Sequence, residues 1–586
     1  MNSLRRLLVS VIALALALPM PAAGQSAWSL ADRQSLEQRE AAIWPTETRT
    51  ARSATGLVSA TASPVAVRAG TDVLRSGGTA ADAAVATAFA QITMMQGANV
   101  SFAGVAQLLY YDARTGRVHA MDAGWNGWRN ERSPNTIPAT DLSLLTGTRG
   151  DTSGAAGRKT LVPGFVAGMA AMHRRFGRLS LRQLLAPSIW YARHGVPVTP
   201  LTGAYFPIAA PQLSQTPAGR HFLMPDGVHV ATLGDRHASP ELARLLDQIA
   251  AHGAAAMYRG RWARAFVAAV NAAGGAATMA DMAAYRVRWA APLRIAIGDV
   301  EVMAPPPPDA TGCAMLTALN VLHHAAAEQP YWQDPQAFRT TALTLRLATI
   351  LGWSPAMGEV LQRHLGSGGD CAARLQPGFG AAAATRLDEL LAAAAPPVAG
   401  HHSAAVVVID RWGNIAALVH SSNTPLWGDT GLVVQGVPIP APAGLYRDAL
   451  TRISPGGRVP SDMAPLIALR SGKPLFGVAA VGSSLLQETV RVTAGLIQRT
   501  GRLDDLVAAP PLLLNYQQIF GEELVPAGRY PPAFLDQVRA AGMAVREVDM
   551  LQTQTLKGTV AVAMLQPDGS REGVEVPQIL AFAQGE

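Results

Sequence analysis

Residues 403–421 read SAAVVVID (403–410), RWGN (411–414) and IAALVHS (415–421). Two runs of small and β-branched residues flank a break ending in Gly413-Asn414, the pattern of a β-hairpin. Neither run alternates apolar with polar residues, so both faces of both strands need covering layers. Just upstream, 384–399 is a tract of Ala, Leu and Pro ending in APPVA, which reads as a helix followed by a loosely structured linker. The change of character near residue 400 is the clearest internal boundary, and no repeat accompanies it.

Farther out, GLVSATA (56–62) is strand-like and Pro64 to Leu74 starts a helix. Ser76-Gly77-Gly78-Thr79 breaks it, and Ala80 to Ala90 forms a helix of small residues able to approach a sheet closely. AQLLYYD (106–112), the turn ARTG and RVHAMD (117–122) make a second hairpin. From about 160 to 350 the periodicity is helical, interrupted by one strand candidate, Leu293 to Met303, and by Pro305 to Pro308. A polar arm with a short helix is expected over 26–50, and a further strand over Thr559 to Leu565.

The chain has 586 residues, 49% hydrophobic and 15% charged, with 55 Gly and 41 Pro. This excludes a disordered or fibrous chain and allows a large core. The formal charge of +7 does not amount to a nucleic-acid signature: lysine occurs only at Lys159, Lys473 and Lys557, and the arginines are scattered rather than run together. At the N-terminus, Arg5 and Arg6, an apolar run from Leu7 to Leu18 and Ala22-Ala23-Gly24 match a secretory signal peptide over residues 1–24. The run is too short to span a bilayer. Its removal takes the charge to +5, and the expected location is periplasmic or secreted. Cys313 and Cys371 can pair, but two cysteines are not a disulfide framework. HExxH, CxxC, GxxxxGK[ST] and GxSxG are absent, so no metal or cofactor is expected. The pairs His323-His324 and His401-His402 are read as lying at element ends.

Several collinear segments carry a resemblance. They are LRSGGTAADAAV (74–85), YDARTG (111–116), VPG (162–164) with Ala167-Gly168, FGRL (176–179), LAP (185–187), PPPPDATG (305–312), and PG (455–456) with Arg458 and SDMAP (461–465). Together they resemble the γ-glutamyltranspeptidase family of N-terminal-nucleophile hydrolases. The resemblance implies a four-layer αββα sandwich of α/β (α+β) class, one domain made from two chain segments. It also implies a precursor that cuts itself, with 25–402 as the large-subunit segment and 403–586 as the small one.

By the same resemblance the nucleophile position falls on Ser403, and Ser421 on a second hydroxyl that supports it. Gly482 and Ser483 fall on the pair whose backbone N–H groups form the oxyanion hole; Asn423, Ser461 and Asp462 fall in the substrate-lining segments. The chemistry needs a β-hydroxyl or thiol on the residue that becomes N-terminal, so serine can serve where the family has threonine. Two departures concern charge. Gly124, in DAGWN (122–126), stands where the family's carboxylate-binding arginine is expected, with Arg129 and Arg132 as possible substitutes. PIPAPAGL (438–445) carries no acid where the ammonium partner is expected. Both losses point to a less charged acyl group, and Trp125, Trp128 and Trp427 are either pocket or core residues.

The reading is therefore an exported amidohydrolase or acyltransferase acting on a small amide or peptide. The alternatives are ordinary γ-glutamyl hydrolysis or transfer on glutathione-like peptides, and an unprocessed non-catalytic binding protein on the same scaffold. Oligomeric state is not legible in the sequence.

Overall fold

The computed structural model describes residues 28–42, 47–141, 154–325, 329–354, 357–392, 403–499, 501–513 and 521–586. The expected signal peptide, the linker and His401-His402 lie outside them. The hairpin forms as expected: Ser403–Ile409 and Ile415–Ser421 are antiparallel strands at the centre of a seven-stranded sheet. Its order is Ala581–Gly585, Leu57–Thr61, Ser403–Ile409, Ile415–Ser421, Val105–Asp112, Arg117–Ala123 and Arg288–Ala290. A second seven-stranded sheet runs Arg49–Ser53, Arg571–Glu575, Gly558–Leu565, Lys473–Gly482, Ala464–Arg470, Val300–Ala304 and Leu293–Ile297. Every neighbouring pair in both sheets is antiparallel.

Side-chain alternation explains the missing polar residues. Ala405, Val407 and Ile409 enter a core between the two sheets, with Ile467, Ala479 and Ala561 of the second sheet. Ala404, Val406 and Val408 point the other way, into a core shared with Ala84, Val85 and Phe89 of the helix Ala80–Met94. On the far side, Val478, Ala480 and Val562 pack beneath the helices Thr311–Ala325 and Leu485–Gln498. The layers are helix, sheet, sheet, helix. Small residues are required at the contacts. A Cβ on Gly477 would lie 2.8 Å from Val407 Cγ1, and one on Gly70 would lie 2.1 Å from Thr87 Oγ1 of the adjacent helix.

Three details correct or complete the sequence reading. The single strand expected over Leu293 to Met303 is a hairpin, because Gly298 adopts φ +59° and turns the chain between Leu293–Ile297 and Val300–Ala304. The polar arm contains the helix Leu30–Ala41, whose first turn is capped by Ser29 and Asp32, but it ends in an edge strand, Arg49–Ser53. Ala464–Arg470 and Lys473–Gly482, central to the second sheet, were not singled out from the sequence. His323-His324 does lie in the last turn of its helix.

Cys313 and Cys371 form a disulfide with Cα atoms 5.9 Å apart, closing a loop of sequence separation 58. Loop-closure entropy sets its contribution at about 2–4 kcal/mol. Cys313→Ser with Cys371→Ser should lower the unfolding free energy from urea titration by that amount while leaving the far-UV circular dichroism spectrum intact; complete loss of the spectrum would show that the fold depends on the bridge.

Candidate active site

The antiparallel register places Ser403, first residue of its strand, opposite Ser421, last residue of the next. Ser403 Oγ donates to Ser421 Oγ at 2.9 Å. Ser421 Oγ also accepts the Asn423 N–H at 2.8 Å. Asn423 adopts φ +53°, a left-handed conformation that Asn tolerates better than most residues. Its amide then spans two partners: Nδ2 donates to Asp462 Oδ1 at 3.0 Å, and Oδ1 accepts from Trp125 Nε1 at 2.9 Å. Tyr446 OH donates to the same Asp462 oxygen at 3.2 Å. Ser403, Ser421, Asn423 and Asp462 are thus joined by one hydrogen-bond chain. Ser403 is half-buried, and the other three are buried.

Ser461 is buried beside them and donates to Asp309 Oδ2 at 2.9 Å, while Gln107 Nε2 donates to Ser461 Oγ at 2.5 Å. Asp309 was not singled out from the sequence, although it lies inside PPPPDATG. Its Oδ1 accepts the N–H groups of Thr311 and Gly312 and the Thr311 hydroxyl, capping the helix Thr311–Ala325, and its Oδ2 also accepts the Met463 N–H. Burial pushes the Asp309 carboxyl up to about 7 despite these donors, and the charge of Asp462 acts in the same direction.

Gly482 and Ser483 lie at the end of Lys473–Gly482, the strand that crosses the hairpin in the facing sheet. Gly482 has φ +92°, and a Cβ there would come 2.8 Å from the Lys557 carbonyl oxygen, so only glycine fits. Ser483 Oγ donates to the Thr555 carbonyl at 2.8 Å and Ser484 Oγ to that of Leu556 at 2.6 Å, tying this turn to the segment before Gly558–Leu565.

Charge near Gly124 is already committed within the protein. Arg458, whose side chain is 1% exposed, gives Nη1 to Asp122 Oδ1 at 2.7 Å, Nε to Asn126 Oδ1 at 2.7 Å and Nη2 to the Arg286 carbonyl at 2.7 Å. A Cβ on Gly124 would meet Asp122 Oδ1 at 2.8 Å and Arg458 Cδ at 3.4 Å, so the space a longer side chain needs is occupied. Neither suggested substitute joins the serine site. Arg129 is mostly exposed and pairs with Asp281 at 3.5 Å, and Arg132 is exposed. Residues 438–444 are buried in an apolar run, and Trp125, Trp128 and Trp427 are all core residues, only Trp125 touching the chain of site residues.

His420, next to Ser421, faces the helix layer. It is buried against Phe165, its Nε2 lies 2.8 Å from Gln91 Oε1, and burial lowers its pKa to about 3. It is a neutral strut and not a proton acceptor for Ser403. Among the described residues no cluster of metal-ligating side chains occurs.

A layered antiparallel sandwich with a hydroxyl at the first residue of a central strand is the architecture of N-terminal-nucleophile hydrolases. The sequence model of the family described as Gamma-glutamyltranspeptidase matches residues 66–576. The chain belongs to that family and is an enzyme of the amide-hydrolysing and acyl-transferring class. It is 26% identical over 554 residues to the acylase ACY 1 proenzyme of Pseudomonas sp. (strain SE83), covering 90% of this chain and 93% of that one. It is 25% identical over 473 residues to the glutathione hydrolase proenzyme of Pseudomonas sp. (strain A14), covering 77% and 80%. The fold matches the crystal structure of cephalosporin acylase from Bacillus halodurans with a TM-score of 0.74 at 20% identity, over 93% of this chain and 98% of that one.

A native carboxyl raised to about 7, against an unfolded value near 3.8, holds its proton more tightly when folded. Its contribution is fully present below the unfolded value and is lost as pH rises through about 7. The unfolding free energy of wild type minus that of Asp309→Asn should therefore fall between pH 4 and pH 8 in urea titrations. A difference independent of pH would mean that the carboxyl ionises normally.

Proposed function

We propose that the chain is exported through residues 1–24, cuts itself between His402 and Ser403, and uses Ser403 as the N-terminal nucleophile of an acylase for a weakly charged acyl group. The observation that carries this is the Ser403–Ser421 hydroxyl pair at 2.9 Å, at the end of a strand buried on both faces. In the precursor, Ser403 Oγ attacks the His402 carbonyl carbon, the peptide C–N bond breaks, and water hydrolyses the resulting ester into segments 25–402 and 403–586. The freed α-amino group, with an ordinary pKa of about 7.7–8.0, then takes the Oγ proton as Oγ attacks the substrate carbonyl. Backbone N–H groups at Gly482 and Ser483 are assigned to the oxyanion. The proton passes to the departing amine, and water or an acceptor amine attacks the acyl ester. Asn423, Ser461 and Asp462 are assigned to the substrate wall. No helix among the described residues is long and apolar enough to cross a membrane.

The specificity reading rests on Gly124 and on the self-contained Arg458–Asp122 pair. A γ-glutamyl α-carboxylate needs a cation with spare donors, and burying it without one is costly. The relatives named acylase lend support. Neutral acyl p-nitroanilides should exceed γ-glutamyl p-nitroanilide by at least tenfold in kcat/KM; the reverse order would restore γ-glutamyl chemistry.

Processing has its own readout. Wild type should give two bands on a denaturing gel, the smaller beginning at Ser403, and Ser403→Ala one band. A single wild-type band would instead support a non-catalytic protein. Ser421→Ala, which removes the hydroxyl that accepts from Ser403, should fold normally and lower kcat by roughly 10- to 1,000-fold, in the range of losing one oriented polar group. Unchanged kcat would remove Ser421 from the mechanism.

A further inference from the structure

The opposite end of the nucleophile hairpin carries a feature that the proposed reaction does not use. Its turn, Asp410 to Asn414, forms one wall of an open cleft of about 710 Å³. Ser403 lies at the other end of a seven-residue strand, about 20 Å away at roughly 3.3 Å per residue. Arg114, Arg117, Arg175 and Arg178 line the cleft together with His119. All four arginines are exposed. Among the described residues Arg117 and Arg178 have no carboxylate partner, and Arg114 reaches Asp112 only at 3.5 Å.

Aromatic faces hold two of these guanidinium groups, those of Arg175 and Arg178, in place. Arg178 lies 4.8 Å over Trp412, and Arg175 lies 4.6 Å over Trp289 and 5.1 Å over Phe176. Phe176 in turn stacks on Tyr110 with centroids 4.0 Å apart. Asp112 is the one acid that lines the cleft, against four arginines, and the hydrogen bonds of the nearby acids are taken up by the protein itself. Asp112, Asp82 and Asp410 are buried, and each accepts backbone N–H donors: from Arg114, from Thr79 and Arg178, and from Ala80, Trp412 and Asn414. Arg175 Nη2 lies 3.1 Å from His119 Nδ1. Burial, and after it the charge of Arg175, push the His119 imidazole below its ordinary value; Asp112 opposes them, and Arg117 adds a smaller push downward.

We infer that this cleft is a binding site for a compact polyanion of phosphate chemistry, separate from the site of acyl transfer. Concave walls concentrate the potential of like charges. Guanidinium forks match phosphate oxygens two at a time, and their stacking on rings reduces the ordering that binding requires. A diphosphate or a phospholipid headgroup presents several acceptor oxygens to several forks at once. A single carboxylate would leave most of the cationic rim unpaired.

The test uses the full processed protein in 0.15 M salt. Calorimetric titration with inorganic pyrophosphate reads the soluble form of the ligand, and co-sedimentation with phosphatidylglycerol vesicles, against phosphatidylcholine vesicles, reads the headgroup form. Saturable binding of either probe, weakened at least tenfold in Arg117→Gln with Arg178→Gln, supports the site and identifies its source. Turnover of an acyl anilide should be unchanged in that variant. The wild-type His119 resonance should also titrate at higher pH with the bound probe, because a nearby anion favours imidazolium; this readout does not depend on any variant folding. Failure of both probes to bind, equal binding by the variant, or an unmoved His119 titration would each overturn the proposal.

Discussion

Burial of one hairpin on both faces is the constraint on which the rest of the molecule depends. Strands 403–409 and 415–421 take cores above and below, so a slip of one residue would send every side chain into the wrong core. That register also sets the chemistry, because it makes Ser403 and Ser421 cross-strand neighbours. The Ser403 hydroxyl is positioned by the same hydrophobic fit that stabilises the sandwich, and its precision comes from sheet geometry rather than from a loop.

The second organising feature is internal use of charge. Arg458 with Asp122, Asp462 with Asn423 and Tyr446, and Asp309 with its helix cap are all consumed by the protein itself. Buried charges of this kind need full hydrogen-bond shells, and their partners hold the walls of the site in one arrangement.

Much of this was legible in linear order. The two central hairpins and the close-packed helix after Thr79 follow from local pattern, because each depends on neighbours within about twenty residues. The hairpin at Leu293 to Ala304 was read as one strand, since a lone Gly-Asp turn in an apolar run carries little local signal. Ala464–Arg470 and Lys473–Gly482 pair with each other across Ser471-Gly472, yet their outer neighbours, Val300–Ala304 and Gly558–Leu565, are distant segments that no local pattern reveals. Asp309 was invisible as a site residue because its role depends on Ser461, more than 150 positions later.

The sequence by itself determined the family, the two-face burial of strand 403–409 and the identity of its first hydroxyl, because these are properties of residue type and short spacing. Only the tertiary structure decided that Cys313 meets Cys371, that Arg458 fills the region beside Gly124, and that Arg129 and Arg132 stay outside. It also decided that arginines scattered along the chain converge on one cleft. The physical reason is common to all of these. Charge pairing, exclusion and disulfide closure depend on distances between segments far apart in the chain, and those distances exist only once the layers have packed.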